Sequence, residues 1–443
     1  MHSRTRTGAR RLTHVAALAC WLTFTGAATA QTAAITLAEA MQKAAGNADV
    51  SLARRAAAAA SADVTSADHA PAPVVTAKAA SIDLQNGIGG GNLLRDKRID
   101  KSLGVDWTWE RGDKRALRTR AAQRTADAAQ ADLQETVVLQ QIAASNAFYD
   151  LLAAQERVTQ VEGVGRSAQE LAGNASRRVK AGDLSQQEAL RIEIESQRAG
   201  ADTRVAREDR RRAEQALALL TGMPTPLQAR ADWPAANAQD TPLPDLPIDS
   251  RADVQAAQQR LRAAQAALDN AQALRKTDLT LGASLDHFPG TSTRQLEVRV
   301  QVPLSGLFGT YGYDGEIAKA RAQLDQAQDQ LDKTRRQAAS DSQRLQQDLQ
   351  AGAARATSYA GAIVPRARQV AAMAELAYSK GAMSLTDLID ARRTLRTVLL
   401  EDIAARAEHA RLLTASQLRS APGSATGSAP ATAPAPAAAS TTP

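Results

Sequence analysis

One stretch of this sequence is written twice. Residues 179–190, Val-Lys-Ala-Gly-Asp-Leu-Ser-Gln-Gln-Glu-Ala-Leu, return 199 positions later as residues 378–389, Tyr-Ser-Lys-Gly-Ala-Met-Ser-Leu-Thr-Asp-Leu-Ile. Gly182 meets Gly381, Ser185 meets Ser384, and the acid Glu188 meets Asp387. Each copy follows a long alanine-rich helical stretch and opens another. A duplicated helix–glycine turn–helix unit at this spacing points to an elongated architecture with internal pseudo-symmetry and away from a compact enzyme.

The two ends read differently from the rest. Residues 1–30 predict a secretory signal: Arg4, Arg6, Arg10 and Arg11 form a basic start, residues 15–24 a short apolar core, and Ala28-Thr29-Ala30 a small-residue cleavage site. The apolar run is too short to span a bilayer as a helix. Removing it lowers the formal net charge from +7 to about +3, which leaves no concentrated basic patch for nucleic acid. Cys20 is the sole cysteine and lies in that segment, so the mature chain is expected to carry no disulfide and no cysteine metal site. Ala17-Leu18-Ala19-Cys20 is a lipoprotein-like box with alanine and leucine reversed, which keeps lipidation of Cys20 as an alternative. Residues 420–443 are Ala, Pro, Ser, Thr and Gly and read as a disordered tail.

Between the ends, each half has the same order of elements. The first repeat, residues 31–223, opens on the helix-start pattern Thr36-x-x-Glu39 and stays helical to about His69. Pro71 and Pro73 end that helix. Residues 74–84 are strand-like, a glycine-rich turn (Gly87, Gly89, Gly90, Gly91) follows, and residues 102–109 place Leu103, Val105, Trp107 and Trp109 on one face. A helical pattern over 114–182 leads to the first turn and a last helix ending near Gly222. A Pro-rich linker, 224–248, precedes the second repeat, 249–419, with its own hairpin over 279–302 and helices over 314–381 and 384–418.

Both long segments carry helix-weakening residues at similar distances from their turns, Gly163 and Gly165 in one, Gly361 and Pro365 in the other. Two stacked helices are therefore expected in each copy. Ile317, Leu324, Leu331, Ala338 and Leu345 recur every seven residues, a coiled-coil seam. Leu133, Val137, Ala144, Phe148, Leu151 and Val158 keep a looser version. The polar outer faces suit either the wall of a water-filled tube or a solvated coiled coil. Aromatic residues are only 3%, so the fold must rest on small side chains packed helix to helix. No segment after the signal reaches the roughly 18 apolar residues of a membrane helix, so any crossing must use strands, and two hairpins need an oligomer to close their edges.

Layout, duplication and turns together resemble the TolC-type outer-membrane efflux channel family over about residues 35–419. Ile35-Thr36-Leu37-Ala38-Glu39-Ala40, residues 251–257 (Arg-Ala-Asp-Val-Gln-Ala-Ala), and the tip Tyr378-x-x-Gly381-x-x-Ser384-x-x-Asp387-Leu388-Ile389-Asp390-Ala391 carry the match. Val302-Pro303-Leu304 with Leu307-Phe308 is most similar to the branch serving heavy-metal cation pumps. The resemblance implies a mainly α fold with a small β part: a homotrimer joining an α-helical tunnel to a shared twelve-stranded barrel in outer-membrane lipid. It implies a passive conduit working with a periplasmic adaptor and an inner-membrane pump, with no catalytic residue, metal or cofactor. By correspondence, Asp387 and Asp390 would ring the closed entrance, and Tyr378 with Glu188 would latch it. Gly182, Leu184, Ser185, Gly381, Met383 and Ser384 would meet the adaptor. Met383 stands where the family has a latch arginine, which weakens a salt-bridge latch.

Other readings remain open at this level. Asp387 and Asp390 also suit an ordinary acidic helix start, and the six turn residues suit plain helix capping. His69, His287 and His409 lie on separate segments and suggest no catalytic or metal cluster. A periplasmic adaptor or a structural coiled coil would share the long helices. The adaptor class has a single hairpin between β-rich domains, and a pure coiled coil would leave the strand pairs unexplained.

Overall fold

The computed structural model describes residues 33–82, 84–85, 87, 89–91, 99–236, 247–288, 294–303 and 311–420. The expected signal, the tail after 420, the turn at 289–290 and the Leu304–Phe308 match lie outside the described residues. In chain order the elements are β1 (Ala33–Ile35), α1 (Leu37–Ala44), α2 (Ala48–Ala67), β2 (Val74–Ala80), β3 (Asp100–Trp109), α3 (Lys114–Ala181), α4 (Gln186–Thr221) and β4 (Leu227–Ala229). After the short 3₁₀ turn Ile248–Ser250 come α5 (Ala252–Ala273), β5 (Leu279–His287), β6 (Gln295–Gln301), α6 (Asp314–Ser358), a π turn (Tyr359–Ile363), α7 (Val364–Ser379) and α8 (Leu385–Ser420).

Local chemistry sets several boundaries. Thr36 and Glu39 form a reciprocal capping box, with Thr36 N–H donating to Glu39 Oε2 at 2.8 Å and Glu39 N–H donating to Thr36 Oγ1 at 3.3 Å. The single helix expected over 36–69 is instead broken after Ala44. Asn47 restarts it, accepting from Val50 N–H at 3.0 Å, because a short amide side chain competes for backbone donors and favours a cap.

The expected pair of helix junctions is half right. α3 runs 68 residues without a break, about 100 Å at 1.5 Å per residue. Glycine keeps its N–H, so it weakens a helix without interrupting it. At Gly165 the small residue lets α4 approach: a Cβ there would sit 3.3 Å from Thr203 Oγ1. Pro365 in the second copy has no N–H to give, and there the α-helix yields to the five-residue π turn before α7 begins.

The heptad seam packs as read. Leu331 and Ala338 are buried against Val254 and Ala257 of α5, and Ile317 and Leu324 pack beside Leu268, Ala271 and Ala320. Phe148 and Leu151 of α3 are fully buried in the largest apolar cluster, with Leu217 of α4 and Ile35, Leu227 and Ala229. That cluster is roofed by a feature the sequence did not disclose: β1 pairs in parallel with β4, inside the segment expected to be a linker. Trp233 follows, stacked on Tyr149 at 6.1 Å with its Nε1–H donating to Glu156 at 2.8 Å. The Arg406 guanidinium lies 5.2 Å above the Trp233 ring and bonds Glu156 at 2.6 Å, fastening α8 to α3.

At the end of α3 away from its turn, the strands form one antiparallel sheet in the order β2-β3-β5-β6. The register aligns Leu103 with Leu285, Val105 with Ala283 and Trp107 with Leu281, and then Leu285 with Leu296 and Leu281 with Val300. Because side chains alternate along a strand, one face is apolar and exposed, with Leu296 73% and Val298 72% accessible. The other face carries Lys78, Asp106, Ser284, Asp286, Glu297 and Arg299, with Arg299 3.3 Å from Asp106. Among the described residues, β2 and β6 are the outer strands of the sheet.

Two substitutions test the glycine argument. Gly165→Leu should force α3 and α4 apart and destabilise by about 1–3 kcal/mol, the usual range for overpacking. Gly163→Ala, where a Cβ meets nothing within 4 Å, should be neutral or add up to about 1 kcal/mol. Thermal unfolding in detergent followed by circular dichroism measures both.

Candidate functional site

The two turns that close the helical hairpins are built by the same chemistry twice. Gly182 has φ 79° and Gly381 φ 75°, the left-handed conformation that lets a helix stop. Asp183 N–H donates to Arg178 O at 2.9 Å, and Ala382 N–H to Ala377 O at 2.9 Å. Ser185 then caps α4: it accepts from Glu188 N–H at 3.2 Å and donates to Glu188 Oε2 at 2.8 Å. Ser384 does the same for α8, accepting from Asp387 N–H at 3.2 Å and donating to Asp387 Oδ2 at 2.7 Å. The acids at equivalent positions are therefore held by their own helix starts.

Leu184 and Tyr378 pack with Leu171 and Ile389 against the buried Ala175, Ile192 and Leu385, which fixes one hairpin tip to the other. Gly182, Ser185, Gly381 and Ser384 are exposed, and Met383 is half-buried. Tyr378 and Glu188 are not joined within one chain: the tyrosine is in the apolar cluster and the carboxylate is in its capping box. Asp387 and Asp390 are exposed on successive turns of α8, and Asp390 lies 3.7 Å from Arg393.

Above these residues lies an ion-pair ladder that sequence reading missed. Arg393 of α8 pairs with Glu195 of α4 through Nε and Nη2, with Nε donating to Oε2 at 3.2 Å. Arg396 reaches Asp202 of α4 at 2.5 Å, and Arg392 reaches Glu375 of α7 at 2.9 Å. The ladder borders a cavity of about 290 Å³ between the hairpins, lined also by Val164, Leu171 and Leu395. Hydrogen bonding from Arg393 holds the Glu195 carboxyl below the usual glutamate range, with the Arg393 and Arg198 charges adding to it against partial burial. The only signal was faint: two acids seven residues apart on α4 and two arginines three apart on α8. Among the described residues, no group of three His, Cys, Asp or Glu side chains could hold a metal ion. No described helix is long and apolar enough to cross a membrane.

No protein-family model matches the chain. The cobalt-zinc-cadmium resistance protein CzcC of Cupriavidus metallidurans is 28% identical over 291 residues, 65% of this chain and 68% of that one. The outer-membrane protein VceC of Vibrio cholerae superposes with a TM-score of 0.70 at 18% identity, covering 86% of this chain and 94% of that chain. The Campylobacter jejuni CmeC outer-membrane channel gives 0.70 at 15%, covering 87% and 86%. The open state of the Neisseria gonorrhoeae MtrE outer-membrane channel gives 0.64 at 18%, covering 87% and 88%. The chain has the fold of these outer-membrane channels over most of its length. The adaptor alternative gains no support, since the duplicated hairpin and its sheet superpose on channels over most of their length.

The ladder has a defined acid limit. A carboxylate whose folded-state pKa is depressed stabilises fully above its unfolded value and loses that contribution as pH falls through the depressed value. Proteolysis at the tips should therefore rise only as pH drops below the usual glutamate range. Glu195→Gln should show raised cleavage already at neutral pH and a flatter profile. Partly exposed pairs contribute at most about 1 kcal/mol each, so the rise is expected to be a few-fold.

Proposed function

We propose that three copies of this chain form a passive conduit from periplasm to exterior, each giving four strands to a twelve-stranded barrel and its helices to a tunnel. The observation that carries this reading is the β2-β3-β5-β6 sheet, apolar on one face and polar on the other, with β2 and β6 as its outer strands among the described residues. In lipid every backbone group must be paired, so an open sheet has to close through copies of itself. Three as the number comes from the family resemblance. An inner-membrane pump supplies the work, and a periplasmic adaptor meets the tips at Gly182, Leu184, Ser185, Gly381, Met383 and Ser384. The cargo class is divalent heavy-metal cations, as the name of the CzcC relative suggests. Deleting the gene should sensitise cells to cobalt, zinc and cadmium, with resistance restored by the intact chain; unchanged metal tolerance with new sensitivity to organic drugs would reassign the cargo.

In such a trimer Asp387 and Asp390 stack as two acidic rings at the entrance, a lining that favours cations. Tyr378 and Glu188, unjoined within a chain, meet across the closed tips. Asp387→Asn with Asp390→Asn should lower cation preference in planar-bilayer recordings, because six charges leave a constriction where the effective dielectric is below that of water. Asp341→Asn, an exposed α6 acid paired with Arg344 three residues on, is the control. Equal selectivity in all three channels would return the two acids to ordinary helix-start residues.

A further inference from the structure

The cavity between the two hairpins has a shape and a chemistry that the proposed conduit does not use. It measures about 290 Å³ and is partly enclosed, with α3 and α4 on one side and α7 and α8 on the other. Val164, Leu171, Ile192, Ile389 and Leu395 give it apolar walls. Small residues leave the room: Gly163 lines it, and a Cβ there would meet nothing within 4 Å. An apolar cavity of roughly 150 Å³ takes up benzene, so this one suits a molecule of about ten non-hydrogen atoms.

Its polar rim is balanced. Arg393 pairs with Glu195, Arg392 with Glu375 at 2.9 Å and Arg396 with Asp202 at 2.5 Å. Arg198 beside Glu195 and Asp390 near Arg393 add one charge of each sign. An ionised carboxylate or ammonium entering this space would give up its water and find every counter-charge taken. One donor is left over. Arg396 Nε is buried and, among the described residues, has no hydrogen-bond acceptor, although Nη1 of the same guanidinium reaches Asp202. A buried N–H without an acceptor is costly, so a ligand that supplies one gains more than its apolar contacts alone.

We propose that this cavity is a binding site for a small neutral molecule, an apolar body carrying one acceptor such as a ketone or amide carbonyl, with that acceptor on Arg396 Nε–H. The walls come from both hairpins, so an occupant braces one against the other and makes the tips harder to separate. The site is built within one chain and does not depend on the trimeric reading.

Ser167 lines the cavity and is half-buried, so the thiol introduced by Ser167→Cys reports occupancy. The experiment uses the purified full chain in detergent, with the unsubstituted chain giving any background label from Cys20. Acetophenone, toluene and sodium benzoate are the probes. At ten times its Kd, acetophenone should slow maleimide labelling about tenfold and slow protease cleavage at the tips several-fold. Toluene should bind several-fold more weakly, and benzoate should leave both rates unchanged. Arg396→Met removes the donor and leaves the half-exposed Asp202 to water; it should lower the affinity for acetophenone to that for toluene. Gly163→Leu fills the space and should abolish protection, with Ala168→Leu on the same wall as its substitute if circular dichroism shows that Gly163→Leu does not fold. Gly173→Leu, on the exposed face of α3 with nothing within 4 Å, should leave protection intact. Equal protection in the filled variant places the probes in the detergent micelle and overturns the site. Protection strongest with benzoate overturns the neutral ligand. Equal affinity for toluene and acetophenone, unmoved by Arg396→Met, overturns the Arg396 contact, and no protection by any probe overturns the whole proposal.

Discussion

A hydrogen-bonded sheet with two free edges cannot exist in hydrocarbon, and this constraint governs the rest of the molecule. Each unpaired N–H or C=O in lipid costs several kcal/mol, so in the proposed conduit β2 and β6 take their partners from neighbouring copies. The polar face, with Lys78, Asp106, Asp286, Glu297 and Arg299, then lines the inside of whatever closes, and Leu103, Trp107, Leu296 and Val298 face outward. The helices follow from the same demand. In the proposed assembly a ring of sheets leads into a ring of helices.

Small residues make such a wall feasible. Ala144, Ala199, Ala338, Ala371 and Ala410 are buried where helices meet, which brings axes close and leaves little room for adjustment. Large side chains are concentrated at one level, around Phe148, Leu151, Tyr149 and Trp233. There β1, β4 and the Trp233–Glu156–Arg406 contacts tie the start of the chain, the segment between the repeats and the last helix together. The hairpin tips below have only the modest cluster around Ile192 and Leu385 and the partly exposed ion pairs, so they are the part least expensive to move.

Much of this was legible because it is periodic. The seven-residue spacing of Ile317 to Leu345 marked the α5–α6 seam, the alternation of Leu103 to Trp109 marked a strand, and the duplicated Gly and Ser marked both turns. What could not be read was non-periodic or depended on distant partners. β4 is three residues in a proline-rich run and exists because β1 lies beside it. Gly165 looked like a weak point and is a contact point, a distinction that needs Thr203 in view. The Arg393–Glu195 pair joins residues nearly two hundred positions apart. The turn acids were visible, but their capping bonds to Ser185 and Ser384 are geometry that residue type alone allows without requiring.

The π turn at Tyr359–Ile363 acts as a phase shifter. A π turn accommodates one extra residue, and one residue corresponds to about 100° of rotation around a helix. On α6 the inward series includes Leu349 and Ala356, and another includes Leu331, Ala338 and Gly352. Carried on by sevens, these would reach Ile363, Val370 and Met373. After the turn, the buried positions are Val364, Ala371 and Ala374, each one place later. A single inserted residue thus takes larger apolar side chains from the face directed at their own chain and aims them outward, so that one continuous hydrophobic rhythm packs inward above the turn and faces solvent below it.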